Sequence, residues 1–291
     1  MIRFDGKQSA ENALQALAEK STQLLALYGR RPCLNVIIIG DDYGSRRYVA
    51  SCEKNAMKAG IMCQVIQLPD TISESELIDR IHQLNQDHTV DGILVQMPLP
   101  KNMDANKVIQ AVNPEKDVDG ITDTNTARLW KSRKNDYSLY CVPCTPRSVM
   151  RILKETNTPL DGKQVVVIGR SNIVGLPVSK LLMNENATVT IAHSHTQNLP
   201  ALLQQADIIV AAVGKARFIT VDMIKSGAVI IDVGINQDPD TGKMCGDVDT
   251  EQVAPLCSLI TPVPGGVGPL TICSLMQNTI DCYLRKHTPQ P

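Results

Sequence analysis

The chain has 291 residues, 43% of them hydrophobic, with 29 basic against 30 acidic side chains and a formal net charge of −1. That length holds one large or two ordinary domains, and charge so evenly interspersed gives neither the basic field of a nucleic-acid partner nor a membrane-surface patch. One Trp, two Phe and six Tyr leave little for base stacking, and apolar runs such as Ile208 to Val213 fall far short of a membrane span.

The opening Met1-Ile2-Arg3-Phe4-Asp5-Gly6 carries acid early and no apolar core of a signal peptide, so a cytoplasmic enzyme is the expectation. In chain order, Leu14, Leu17, Ala18, Leu24, Leu25 and Leu27 predict an amphipathic helix over Glu11 to Tyr28. Leu34 to Ile39 predicts a buried strand ending at Gly40, followed by a charged helix from about Arg46 to Lys58. A strand over Cys63 to Leu68, a helix over Glu74 to Asn85 and a strand over Gly92 to Met97 come next. Pro143 and Pro146 break the chain before another helix, which puts a boundary near Cys144 to Met150.

Beyond it, Val165-Val166-Val167-Ile168 reads as a buried strand running into a glycine-bounded turn, and Pro177, Val178, Leu181 and Leu182 open a helix. Strands over Ala187 to His193, Asp207 to Gly214 and Ala228 to Gly234 alternate with helical Leu199 to Ala206 and Val221 to Ser226. This alternation predicts two α/β domains, the second a Rossmann-like doubly wound parallel sheet whose strand carboxyl ends gather at one crevice. The expected limits are 1–146, completed by the C-terminal helix 270–291, and 147–269.

Two segments point to ligands. Between Pro262 and Pro269 six of eight residues are Gly or Pro, a density that no helix or strand interior survives and that a solvated turn does not need. It predicts a loop whose backbone comes close to a flat ligand. The other segment is Gly169 to Gly175, where a G-x-G-x-x-G fingerprint is altered: the second glycine is Ser171 and the third, Gly175, comes one residue late. Its setting, strand before and helix after, suits an anion at a helix N-terminus. About twenty residues on, where a carboxylate would bind a ribose 2′-hydroxyl, the chain has His193-Ser194-His195-Thr196. With Arg170, these donors favour a 2′-phosphate, and so NADP over NAD.

Nine cysteines without regular spacing read as thiols. The close pair Cys141-Val142-Pro143-Cys144 lacks a second pair to complete a zinc site, no acid or thiol joins His193 and His195, and no metal is expected.

Several segments together resemble the methylenetetrahydrofolate dehydrogenase/cyclohydrolase family. They are Gly40-Asp41-Asp42 to Tyr48-Val49, Asp91 to Pro100, Asp117-Val118-Asp119-Gly120, Pro143 to Arg147, Gly169 to Pro177, Ile231 to Asn236 and Ile260 to Thr271, in family order over nearly the whole chain. The resemblance implies a homodimer of two-domain subunits, NADP on the second domain, and tetrahydrofolate derivatives bound in a cleft. The implied activity is NADP-dependent oxidation of 5,10-methylenetetrahydrofolate to the methenyl compound in one-carbon metabolism, with cyclohydrolase activity in many members. It further implies that Tyr48 stacks on the folate, Gln96 lies beside the one-carbon bridge and Asp119 bonds the pterin edge. Pro264, Gly265, Gly266, Gly268, Pro269 and Thr271 wall the folate, while Gly169, Arg170, Ser171, Gly175, Ser194 and Ile235 contact NADP.

The chain also departs from the family pattern. Where the motif has lysine four residues after its tyrosine, this chain has Cys52, and Lys54 two residues further is rotated by about 200° on a helix. Tyr43-Gly44, Asp123, Ala127 and Ala216 are further departures, several near the implied folate site. The expectation is a dehydrogenase whose cyclohydrolase activity is severely reduced. The alternatives are an NADP-binding paralogue with another substrate and a catalytically silent folate- or nucleotide-binding protein.

Overall fold

A computed structural model of the protein describes residues 1–287, so the last positions of the expected 270–291 helix, 288–291, lie outside the described residues. The chain opens with β1 (Ile2–Arg3), α1 (Gly6–Tyr28), β2 (Cys33–Ile39), α2 (Tyr43–Lys58), β3 (Met62–Leu68), α3 (Glu74–Gln86) and β4 (Gly92–Val95). Three helices follow, α4 (Ala105–Gln110), α5 (Asp123–Lys131) and α6 (Cys144–Glu155). Alternation resumes with β5 (Gln164–Ile168), α7 (Gly175–Asn184), β6 (Thr188–Ala192), α8 (Leu199–Leu203), β7 (Ile208–Ala211) and β8 (Val229–Asp232). Last come β9 (Asn236–Gln237), β10 (Met244–Cys245), α9 (Thr250–Val253), β11 (Leu259–Ile260) and α10 (Val267–His287).

By packing the chain divides into two interleaved units. One comprises Glu11–Arg128, Asp136–Cys144 and the chain from Ile272; the other comprises Met1–Ala10, Leu129–Asn135 and Thr145–Thr271. The first is built on a three-stranded parallel sheet, β3-β2-β4. Its central strand β2 is buried throughout, as its unbroken Cys-Leu-Asn-Val-Ile-Ile-Ile run requires, while β3 alternates as an edge strand does. Ile37, Leu77, Ile81, Ile93 and Val108 are among the residues that form its core. A parallel bridge from Ile93 to Asp117 lays the Asp117–Gly120 turn along β4. Helix α10 is tied to the same turn, since Asn278 Nδ2 donates to Val118 O at 2.6 Å and to Val142 O at 2.9 Å.

The other unit holds a six-stranded parallel sheet in the order β1-β11-β8-β7-β5-β6. Register aligns Ile168 with Ala192 and Ala211, and Ala211 with Asp232, so four strands end in one row. Its core includes Val166, Ile168, Ile209, Ile230 and Ile260. The strand β1 joins this sheet beside β11, a pairing two residues long that no periodicity could announce. Val221 to Met223, expected as part of a helix to Ser226, is a single 3-10 turn, because the β-branched Ile224 takes an extended conformation and buries its side chain in the core of the sheet. The short helices α4 and α5 were not expected; α4 is started by Asp104, which accepts from Asn106 N and Lys107 N.

Candidate functional site

In the three-stranded unit, α2 is started by Asp42, whose carboxylate accepts from Ser45 N at 2.8 Å. Ser45, Val49, Cys52 and Ala56 then form its buried stripe, at helical spacing. Tyr48 is half-buried one turn before Cys52, which is wholly buried. Burial pushes the Cys52 thiol up to about 12, so it is a neutral thiol at pH 7, and burial raises the Tyr48 phenol as well. Lys54, two residues on, is exposed.

The two acids of the Asp117–Gly120 turn have separate tasks. Asp117 is buried and accepts from Gly120 N at 2.8 Å, Thr122 N at 2.9 Å and Asn125 Nδ2 at 3.0 Å, which holds the turn in shape. Gly120 takes φ +66°, and a Cβ there would lie 2.6 Å from Val142 C. Asp119 is half-buried, and its side chain is met by the thiol of Cys144, Sγ to Oδ1 3.7 Å. Its carboxyl is pushed up to about 6, first by burial and then by the Asp117 carboxylate, with the Cys144 contact working the other way. Tyr48 and Cys52 both feel Asp119, so Tyr48, Cys52, Asp119 and Cys144 form one cluster.

Gln96 follows β4, its amide donating to Ile37 O at 2.8 Å. Its side chain is half-buried and donates from Nε2 to the carbonyl of the next residue, Met97 O, at 2.6 Å, and among the described residues no hydrogen bond joins it to the Asp119 cluster. Cys144 is the residue that sequence reasoning passed over: it lies 25 positions from Asp119, and its pairing in C-x-x-C pointed elsewhere. The two cysteines of that motif do not face each other. Cys141 Sγ lies 3.4 Å from Cys282 Sγ, with Arg285 Nη2 on both sulfurs, and all nine cysteines are free. Among the described residues no group of three or more His, Cys, Asp or Glu is placed to hold a metal ion.

In the six-stranded unit, the turn after β5 is closed by contact. Gly169 takes φ +123°, a Cβ on it would lie 2.3 Å from Ala212 O, and one on Gly175 would lie 2.1 Å from Gly169 O. Ser171, standing where a fingerprint glycine would be, uses its hydroxyl to accept from Val174 N at 3.2 Å and Gly175 N at 3.4 Å, and so closes the turn that leads into α7. Arg170, Ser194 and His195 are exposed at the carboxyl ends of β5 and β6, with no acid among Arg170–Ser171 or His193–Thr196. Ile173 and Ile235 are more than half exposed at the same edge. A tight glycine turn leading into a helix, cationic and hydroxyl donors and uncovered apolar side chains fit a phosphorylated dinucleotide.

The Pro262–Pro269 loop belongs to this unit too. Gly265, at φ +104°, accepts from Gly6 N at 2.9 Å, and a Cβ on Gly266 would lie 2.6 Å from Pro262 O. Gly268 is different: nothing lies within 4 Å of a Cβ built there, so the chain's own packing does not require that glycine. Pro264 and Gly268 are exposed, while Gly265, Pro269 and Thr271 are partly so.

A parallel sheet ending in a phosphate-type turn, joined in one chain to an α/β unit carrying a shielded acid, a phenol and a thiol, defines a dinucleotide-dependent α/β enzyme. The comparisons with known proteins make this specific. Residues 4–119 match the tetrahydrofolate dehydrogenase/cyclohydrolase catalytic domain, and residues 143–287 match the NAD(P)-binding domain of the same enzymes. The chain belongs to the tetrahydrofolate dehydrogenase/cyclohydrolase family. It is 49% identical over 282 residues, 97% of each chain, to the bifunctional protein FolD of Streptococcus pneumoniae. Among solved structures it is similar to the bifunctional enzyme FolD of Campylobacter jejuni, with TM-score 0.90, 40% identity and coverage of 97% and 98%. The Trypanosoma brucei FolD enzyme, complexed with NADP cofactor and inhibitor, gives TM-score 0.92 at 35% identity and covers 99% of each chain.

Proposed function

We infer that the protein is an NADP-dependent 5,10-methylenetetrahydrofolate dehydrogenase whose hydrolytic activity toward the methenyl product is severely reduced. The observation that carries the first part is membership of the family through both of its domains. The second part rests on Cys52, a buried neutral thiol where the family motif has lysine.

When bound, NADP supplies the hydride acceptor. Arg170 and Ser194 would hold its 2′-phosphate, Gly169, Ser171 and Gly175 its pyrophosphate, and Ile235 would pack on its far half. The folate is held by Asp119, whose two oxygens accept a pair of donors from the aminopterin edge, and by Tyr48, whose ring stacks on it. Gln96 turns its amide from Met97 O toward the one-carbon bridge, and the Gly/Pro loop from Pro264 to Thr271 offers it a flat backbone. The oxidation needs aligned rings and no proton transfer from the protein, so this set suffices.

Hydrolysis asks for more, since water must add to a cation and protons must leave it. A lysine brings three donors and an exchangeable proton on a long stem. Cys52, neutral and 0% exposed, brings neither charge nor reach, and exposed Lys54 is turned away. We assign folate binding to the unit of Glu11–Arg128, Asp136–Cys144 and the chain from Ile272, and NADP binding to the six-stranded unit, which takes Met1–Ala10, through the pairing of β1 with β11, and Leu129–Asn135 out of the expected 1–146; the protein is a cytoplasmic homodimer with no nucleic-acid or membrane partner. Mixing the protein with methylenetetrahydrofolate and NADP and following methenyl absorbance tests the reading; turnover is expected, and none at high enzyme concentration overturns it.

A further inference from the structure

Two buried carboxylates in the six-stranded unit have no part in the chemistry described above. Asp247, 0% exposed, accepts from Val213 N at 2.6 Å, Gly214 N at 3.2 Å, Lys215 N at 2.9 Å and Asn236 Nδ2 at 2.9 Å. Asp232, also 0% exposed, accepts from Gly234 N at 3.0 Å, Asp247 N at 3.0 Å and Val248 N at 2.9 Å, so one acid seats the other. Two glycines make room for them. A Cβ on Gly234 would lie 2.1 Å from Asp247 Oδ1, and one on Gly246 would lie 1.9 Å from Asp232 Oδ2.

The segments so gripped leave the carboxyl ends of β7 and β8, in the row where β5 ends at the Gly169 turn. The Asp232 amide also donates to Thr261 Oγ1 at 2.7 Å, and Thr261 leads directly into the Gly/Pro loop. In a doubly wound sheet the pyrophosphate sits at the turn after the first strand and the adenosine ribose at the end of the second, here β5 and β6. The rest of a dinucleotide therefore extends over β7 and β8.

We infer that Asp247, seated by Asp232, is a positioning residue that fixes the backbone of 213–215 and the side chain of Asn236 under the nicotinamide half of the cofactor. Burying two acids is costly, and seven donors converging on them offset that cost only by holding two loops and the root of a third in one shape. The inference rests on the NADP reading of this unit.

The test compares binding of NADP with binding of 2′,5′-ADP, which carries the adenosine half and its phosphate alone. Asp247→Asn keeps the volume but supplies donors where only acceptors fit. NADP affinity is expected to fall about 10- to 100-fold, the worth of one to two charged hydrogen bonds, with 2′,5′-ADP affinity unchanged. The KM for NADP should rise with the binding loss. Asn236→Ala leaves both acids in place and should give the same one-sided loss, about three- to tenfold, which keeps the test open if the first variant does not fold. Equal weakening of both ligands, or of neither, overturns the positioning role. A parent protein that binds neither ligand overturns the NADP reading itself.

Discussion

The proposed loss of hydrolysis rests on one side chain, the buried thiol of Cys52. It is buried on the same helix as Tyr48 and lies in the field of Asp119, and in the proposed reading it stands where a lysine would serve the folate. Loss of a positioned acid or base costs about 10²- to 10⁴-fold. Cys52→Lys is therefore expected to raise methenyl hydrolysis at least tenfold, with Asp119 as the counter-charge that lets a lysine stay there. Cys52→Ala should leave the low hydrolysis of the parent unchanged; a fall would show that the thiol itself takes part. Asp119 gives a second expectation. Its carboxyl titrates at about 6, raised by burial beside Asp117, and only the ionised form accepts from the pterin edge through both oxygens. The kcat/KM for methylenetetrahydrofolate should therefore hold above pH 6 and decline as pH drops through it. Asp119→Asn should lose most activity and that acid limb; a parent profile flat from pH 5 to 7 would remove Asp119 from the role.

The loop from Pro262 to Pro269 and the turn from Gly169 to Gly175 use glycine in two ways. Gly169 and Gly175 are demanded by the chain itself, since side chains there would strike the backbone at 2.3 and 2.1 Å. Gly268 is not, and it stands in the first turn of α10, where alanine is the better helix former by about 1 kcal/mol. Gly268→Ala should leave the thermal midpoint equal or higher while raising the KM for methylenetetrahydrofolate about tenfold, the effect of a methyl group forced into a close contact. An unchanged KM would show that no ligand approaches that backbone. The same elements show what was legible beforehand. Long β-branched runs and the glycine turn fixed the strands of the nucleotide sheet to within a few residues, because parallel strands are buried on both faces. The two-residue β1 was not legible, for it exists only by pairing with β11. Nor was the Cys144–Asp119 contact, or the grip of Asp247 on three amides and Asn236: each acid there has ordinary turn neighbours in sequence and acquires its partners only when the sheet forms.

Over the whole molecule, the two units divide the labour of one reaction. The unit with the Gly169 turn matches the NAD(P)-binding domain, and in the proposed reading Arg170→Ala should weaken NADP at least tenfold while changing NAD little, since a charged hydrogen bond to phosphate is worth about 1.5–3 kcal/mol. Equal losses for both cofactors would mean that the 2′-phosphate is not read by Arg170. In the proposed reading the unit with Tyr48, Cys52 and Asp119 holds the folate, and Cys52 stands there in place of the lysine that hydrolysis would use. The two activities should then separate in one preparation. The decisive measurement is a paired assay on the same purified protein, with NADP-dependent formation of methenyltetrahydrofolate in one cuvette and enzymatic loss of added methenyltetrahydrofolate, corrected for the buffer rate, in the other. Ready formation with loss no faster than about one hundredth of that rate is the expected result; hydrolysis as fast as oxidation would contradict it.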